Sequence, residues 1–189
     1  KQNDFQVALL QFDKLIDITS DDTFLAGVYY SKGDAFTGMQ DWKSALKSYL
    51  KSYELESDGS YAAKALKASY QTALMPLNEN NFELAIIQFD SLINIIPSGP
   101  LLTAAHYSKG DAFSELEEWK AAGKSYLESF KLEPDGKYAA KALMNVGISL
   151  GKMQKINEAC NILNRVEARF PRNQIVEEAQ YEMQILGCS

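Results

Sequence analysis

The sequence predicts an all-helical solenoid in which antiparallel helix pairs stack around one continuous core. Three observations carry that reading. The stretch YSKGDAF occurs at 30–36 and again at 107–113, and the same offset of 77 residues relates Trp42 to Trp119 and Tyr61 to Tyr138. Residues 5–76 and 82–153 align without a gap as two near-duplicate halves, and self-similarity at a fixed period signals a repeat architecture. Within each half a shorter period runs through the small residues Ala8, Ala45, Ala85, Ala122 and Ala159, in steps of 37, 40, 37 and 37. Three residues before each comes Phe5, Trp42, Phe82, Trp119 or Ile156, and four residues after each comes Phe12, Tyr49, Phe89, Tyr126 or Leu163. Twelve residues after each stands a helix-ending position: Ser20, Ser57, Pro97, Pro134 or Pro171.

The elements follow in order. Phe5, Ala8, Leu9, Phe12, Leu15 and Ile16 fall on one face of a helix ending at Ile18. Thr19-Ser20-Asp21-Asp22 breaks it and offers N-cap oxygens to a helix over about 24–39. A third helix starts at Asp41-Trp42 and runs to Leu55, where Gly59 is expected to adopt the left-handed conformation that terminates helices. The fourth spans Tyr61–Met75 and is expected to close at Pro76. After the loop at 78–81, which accounts for the longer step of 40, the pattern replays near 81–96, 101–116, 119–132 and 137–153. Two more helices follow near 156–169 and 173–186. That makes ten helices with short connections and no convincing strand, and short connections force neighbours to lie antiparallel. Gly33 and Gly110, one turn before Phe36 and Phe113, should let a partner helix approach closely, with Ala45 and Ala122 in the same role opposite. Tyr70 stands where Gly147 stands in the second half, so its helix should pack further out or rotate. The whole of 1–189 reads as one domain, with the residues at 154–187 forming a last repeat and a capping helix.

Composition excludes several functions. The chain is 46% apolar and 11% aromatic, too much for disorder. A net charge of −6 argues against nucleic-acid or anionic-membrane surfaces, which need a cationic stripe. No run of 18 apolar residues occurs. The opening Lys1-Gln2-Asn3-Asp4-Phe5 reads as the middle of a repeat, so further residues are expected upstream. Cys160 and Cys188 are compatible with two free thiols, the default reading, or with one disulfide. Catalysis is not expected. His106 is the only histidine, aligns with Tyr29 and reads as a half-buried aromatic position, so no acid–base relay or metal cluster can be assembled around it. No nucleophile elbow, Walker loop or dinucleotide fingerprint occurs, and Glu115, Glu117 and Glu118 read as a solvated face. No metal or cofactor is expected.

The order of Gly110, Phe113, Trp119, Ala122, Tyr126 and Pro134 resembles the tetratricopeptide repeat (TPR), a helix–turn–helix unit. Gly147, Leu150, Ala159, Leu163 and Pro171 match nearly as well, and Tyr29–Ser57 matches with Ser57 in place of Pro. The resemblance covers essentially the whole chain and implies a right-handed superhelix of about five repeats. Lys32 and Lys109 depart from the usual Leu, so their stems should pack while their amines reach water or a carboxylate. The 37-residue steps and the terminal RFPRNQIVEEAQYEMQILG further resemble the C-terminal domain of the Tol-Pal system TPR protein (the YbgF/CpoB type) and related bacterial envelope lipoproteins. That resemblance implies a periplasmic, cell-division-linked scaffold whose partner is a TolA-like protein. The alternative is a cytoplasmic TPR adaptor in a regulatory or assembly complex.

In a TPR stack the inner wall comes from the first helix of each pair. The register places Tyr30, Asp34 and Thr37 there, then Lys64, Lys67 and Gln71, then Tyr107, Asp111 and Ser114, then Lys141, Met144 and Ile148, with Tyr181 at the end. Tyr–Asp pairs alternating with Lys would make a groove of mixed charge, suited to a peptide or protein partner. Asp34 and Asp111 stand where co-chaperone TPRs that clamp a C-terminal carboxylate carry Asn, which disfavours that ligand. The first helix lacks an antiparallel partner upstream, so the face with Phe5, Leu9, Phe12 and Ile16 should be partly uncovered and could mediate homo-oligomer formation.

Overall fold

The computed structural model describes residues 2–188, and among them there are ten α-helices and no strand. The helices fall into two compact units, Lys1–Ile96 and Pro97–Ser189. The first holds α1 (Gln2–Ile18), α2 (Asp22–Gly38), α3 (Trp42–Leu55), α4 (Ala62–Asn78) and α5 (Phe82–Ile93). The second holds α6 (Pro100–Glu115), α7 (Trp119–Leu132), α8 (Ala139–Lys152), α9 (Ile156–Arg169) and α10 (Ile175–Leu186). Within each unit every helix packs on the next. α2 and α3 run antiparallel: Ser52 donates to the carbonyl of Ala26 at 2.7 Å, while Tyr49 lies on Gly33 and reaches Thr37. The same tie recurs 77 residues later, where Ser129 donates to the carbonyl of Thr103 at 3.0 Å.

The small residues act as expected. Ala45, Ala85, Ala122 and Ala159 are fully buried. A Cβ at Gly33 would lie 2.5 Å from the Tyr49 ring, at Gly110 2.6 Å from Tyr126, and at Gly147 2.7 Å from Leu163. Asp21 and Asp41 cap α2 and α3 by accepting from the amides of Phe24 and Ser44. At Tyr70 the expected adjustment is visible. Its ring lies 6.2 Å from that of Phe89, and α4 meets α5 less extensively than α8 meets α9. Lys32 pairs with Asp13, and the Lys109 amine lies 5.4 Å from the centre of the Phe113 ring. His106 is half-buried, and Glu115, Glu117 and Glu118 are exposed.

Several details differ from expectation. Pro76 does not end α4, which runs to Asn78. It sits buried in the last turn, where its missing N–H removes only the bond to the Thr72 carbonyl, and the amides of Glu79 and Asn81 cap its own carbonyl. Gly59 is not left-handed; a Cβ there would strike the Glu56 side chain, so close approach is its role. The left-handed turns are made instead by Gln40, Asn80, Glu117 and Gln154, which repeat the 40- and 37-residue steps. Gly187, also left-handed, ends α10. Cys160 and Cys188 are not free thiols but form a disulfide, with Cα atoms 5.6 Å apart, tying α9 to the residue beyond Gly187.

Candidate functional site

The predicted wall residues gather around a tyrosine–aspartate cluster in each unit. In the first, α3 delivers Tyr49 to α2, and its hydroxyl donates to Asp34 Oδ1 at 2.7 Å and lies 3.2 Å from Thr37 Oγ1. Tyr30 sits between Tyr49 and Tyr61, with ring centres 5.4 and 5.6 Å away. Tyr30 is half-buried, and burial followed by the Asp34 charge raises its phenol pKa. Asp34, Lys64, Lys67 and Gln71 are exposed, and the Lys64 amine lies 5.6 Å from the centre of the Tyr61 ring.

The second unit builds the same cluster from α6, α7 and α8, but closes it. Tyr126 donates to Asp111 Oδ1 at 2.8 Å and lies 3.0 Å from Ser114 Oγ. Tyr107 is only 6% exposed; it stacks on Tyr138 at 4.9 Å and its hydroxyl accepts from Asn145 at 3.2 Å. Burial raises the phenol pKa of both Tyr107 and Tyr126, with the Asp111 charge next. Burial also raises the Asp111 carboxyl to about 6, against opposing hydrogen bonding from Tyr126 and the charge of Lys141. The exposed Lys141 lies over the Tyr107 ring at 5.9 Å. Tyr107 therefore shapes the wall from inside and does not present its ring to a partner.

Met144 is 4% exposed and belongs to the core. It also reaches the floor of an open cavity of about 440 Å³ between α8 and α10, lined by Met144, Ile148, Glu177, Glu178, Tyr181 and Glu182. The structure thus brings Met144, Ile148 and Tyr181 together. Tyr181 is 64% exposed. The three glutamates were not singled out in the sequence, although Glu177 and Glu178 lie one turn before Tyr181 and Glu182 directly follows it. Tyr61 and Tyr138 were also passed over as wall residues, although their recurrence at the offset of 77 was a usable signal.

Among the described residues no cluster of three metal-ligating side chains occurs, and no helix is long and apolar enough to cross a membrane. Neither a protein-family model nor a curated protein matches the sequence. Solved structures do. The apo form of RapI is similar with a TM-score of 0.60 at 16% identity, over 96% of this chain and 52% of RapI. YrrB, described as a TPR protein with an unusual peptide-binding site, gives 0.55 at 16% identity, over 95% of this chain and 84% of YrrB. The TPR2AB domain of yeast Sti1, in complex with a pHSP90 ligand, gives 0.54 at 11% identity, over 98% of this chain and 80% of that one. The fold is the TPR fold. The chain spans about half the length of RapI.

Proposed function

We propose that this chain is a non-catalytic scaffold that holds a peptide or protein segment on the face formed by the first helices of its TPR pairs. The observation that carries this reading is the cavity over Met144 and Ile148, an apolar floor that the chain's own side chains leave open. Exposed Lys141 on α8 and Tyr181 on α10 add polar and aromatic groups that the core does not use. The structural neighbours Sti1, in complex with pHSP90, and YrrB, with its peptide-binding site, support the same reading. The test is capture by the purified chain with a photocrosslinking amino acid at position 181. A partner should crosslink in wild type and be lost with Ile148→Lys, which fills and charges the cavity floor; an unchanged crosslinking pattern overturns the reading.

The setting we favour is the bacterial envelope, with a TolA-like partner and a link to cell division, as the sequence resemblance implies. The Cys160–Cys188 disulfide supports it, because disulfides persist in the periplasm and are rare in reducing cytosol. Alkylation of thiols in intact cells should find both cysteines blocked; reduced cysteines favour the cytoplasmic adaptor. Association of copies through α1 belongs to the same proposal. Phe5, Leu9, Phe12 and Ile16 are partly covered, whereas Val7, Leu10 and Ile18 are 58%, 63% and 78% exposed. Light scattering decides whether copies associate.

A further inference from the structure

Resting on the scaffold reading, we infer that the α8–α10 cavity recognises a basic amphipathic segment, with one apolar side chain seated on Met144 and Ile148 and flanking Lys or Arg facing the glutamates. The floor is apolar and connected to the core, since Met144 and Ile148 pack against the cluster that includes Leu143, Val146 and Leu163. Tyr181 forms an exposed aromatic wall, the residue type best suited to anchoring a partner at low entropic cost. The volume of about 440 Å³ falls in the range of ~300–1,000 Å³ typical of ligand sites.

The charge around that floor has one sign. Glu177, Glu178 and Glu182 line it, no Lys or Arg does, and among the described residues none of the three forms an ion pair. Glu177 and Glu178 sit in the first turn of α10, where carboxylates also complement the helix dipole. Glu182 lies a turn further on, beyond that effect, and still lines the cavity. An acidic or neutral apolar segment would leave three carboxylates facing it without compensation. A cationic one gains electrostatic complementarity while its apolar side chain fills the floor. The neighbouring charges limit where the segment can run. The Lys141 amine, over Tyr107 on the preceding turn of α8, repels a cationic residue there, so the basic flank is directed along α10.

The test is selection of a randomised 12-residue phage-displayed peptide library against the intact chain, followed by fluorescence polarisation with the enriched peptides. Wild type should enrich Lys or Arg flanking a single large apolar residue, with affinity falling as salt rises. The double variant Glu178→Lys with Glu182→Lys should weaken the enriched peptides about tenfold or more, and Tyr181→Ala, an exposed truncation that leaves the core intact, should weaken them as well. No enrichment, enrichment without basic bias, or binding unaffected by charge reversal overturns the inference. Partner crosslinking from position 181 that survives such a result would leave the scaffold reading standing and reject only the basic preference.

Discussion

Tyr30–Asp34–Tyr49 and Tyr107–Asp111–Tyr126 are the same motif 77 residues apart, with the same hydrogen bonds, yet one is open and the other shut. The difference comes from the helix that follows. Where α8 offers Asn145, α4 offers Ala68, so Tyr107 gains a donor that Tyr30 lacks. Where α8 has Gly147, which admits Leu163, α4 has Tyr70, which holds Phe89 at a distance. Met144 and Ile148 replace Lys67 and Gln71, turning a solvated stripe into the floor of a cavity. A repeat motif therefore sets which side chains meet, and its neighbour sets how much water reaches them.

The largest expected break in this comparison is covalent. Only the second unit carries a disulfide, its cysteines separated by 28 positions in sequence. Cys160→Ser with Cys188→Ser should cost that unit about 3 kcal/mol by chain-entropy reasoning. Hydrogen exchange should show faster opening in α9 and α10 with α1–α3 unchanged. Next come the glycines. Gly110→Ala forces a Cβ onto Tyr126, which is hemmed in by the stacked Tyr107, and should cost about 2 kcal/mol. Gly33→Ala meets Tyr49 beside the half-buried Tyr30, which can yield, and should cost less in urea unfolding.

The third comparison is one of pH. The Asp111 carboxyl, raised to about 6 from 3.8, binds its proton more tightly folded than unfolded. Its contribution to stability is full below pH ~4 and is lost as pH rises through 6. Asp111→Asn keeps an acceptor for Tyr126 and does not titrate. It should leave stability near wild type at pH 4.5 and raise it by about 1 kcal/mol at pH 7.5, read from urea midpoints. The smallest effect is expected at Glu117, left-handed in its turn. Glu117→Asn, better suited to that conformation, should add a few tenths of a kcal/mol to the thermal stability.

Much of the helical architecture was legible because it rests on periodic, local signals. Ala85, Ala122 and Ala159 read as contact points and are buried; Asp21 and Asp41 read as caps and make those bonds. What was missed depends on non-local geometry. Pro76 reads as a stop, yet α4 runs two residues past it and closes on the amides of Glu79 and Asn81, which cap the Pro76 carbonyl. The cysteines meet only because α9 and α10 return antiparallel, which spacing alone does not give. In the site, the register placed Tyr107 and Met144 on the wall but could not tell that Tyr138 and Asn145 enclose the first or that the core takes up most of the second.

The paired hydroxyl ties, Ser52 to Ala26 and Ser129 to Thr103, have a mechanical consequence. Each pins one rod to its neighbour lengthwise, because sliding by a single residue would strand a hydroxyl in a dry interior. A pair locked in this way behaves as an interchangeable cassette. Swapping 24–55 for 101–132 should preserve the alignment within the pair and alter only what its outer surfaces meet.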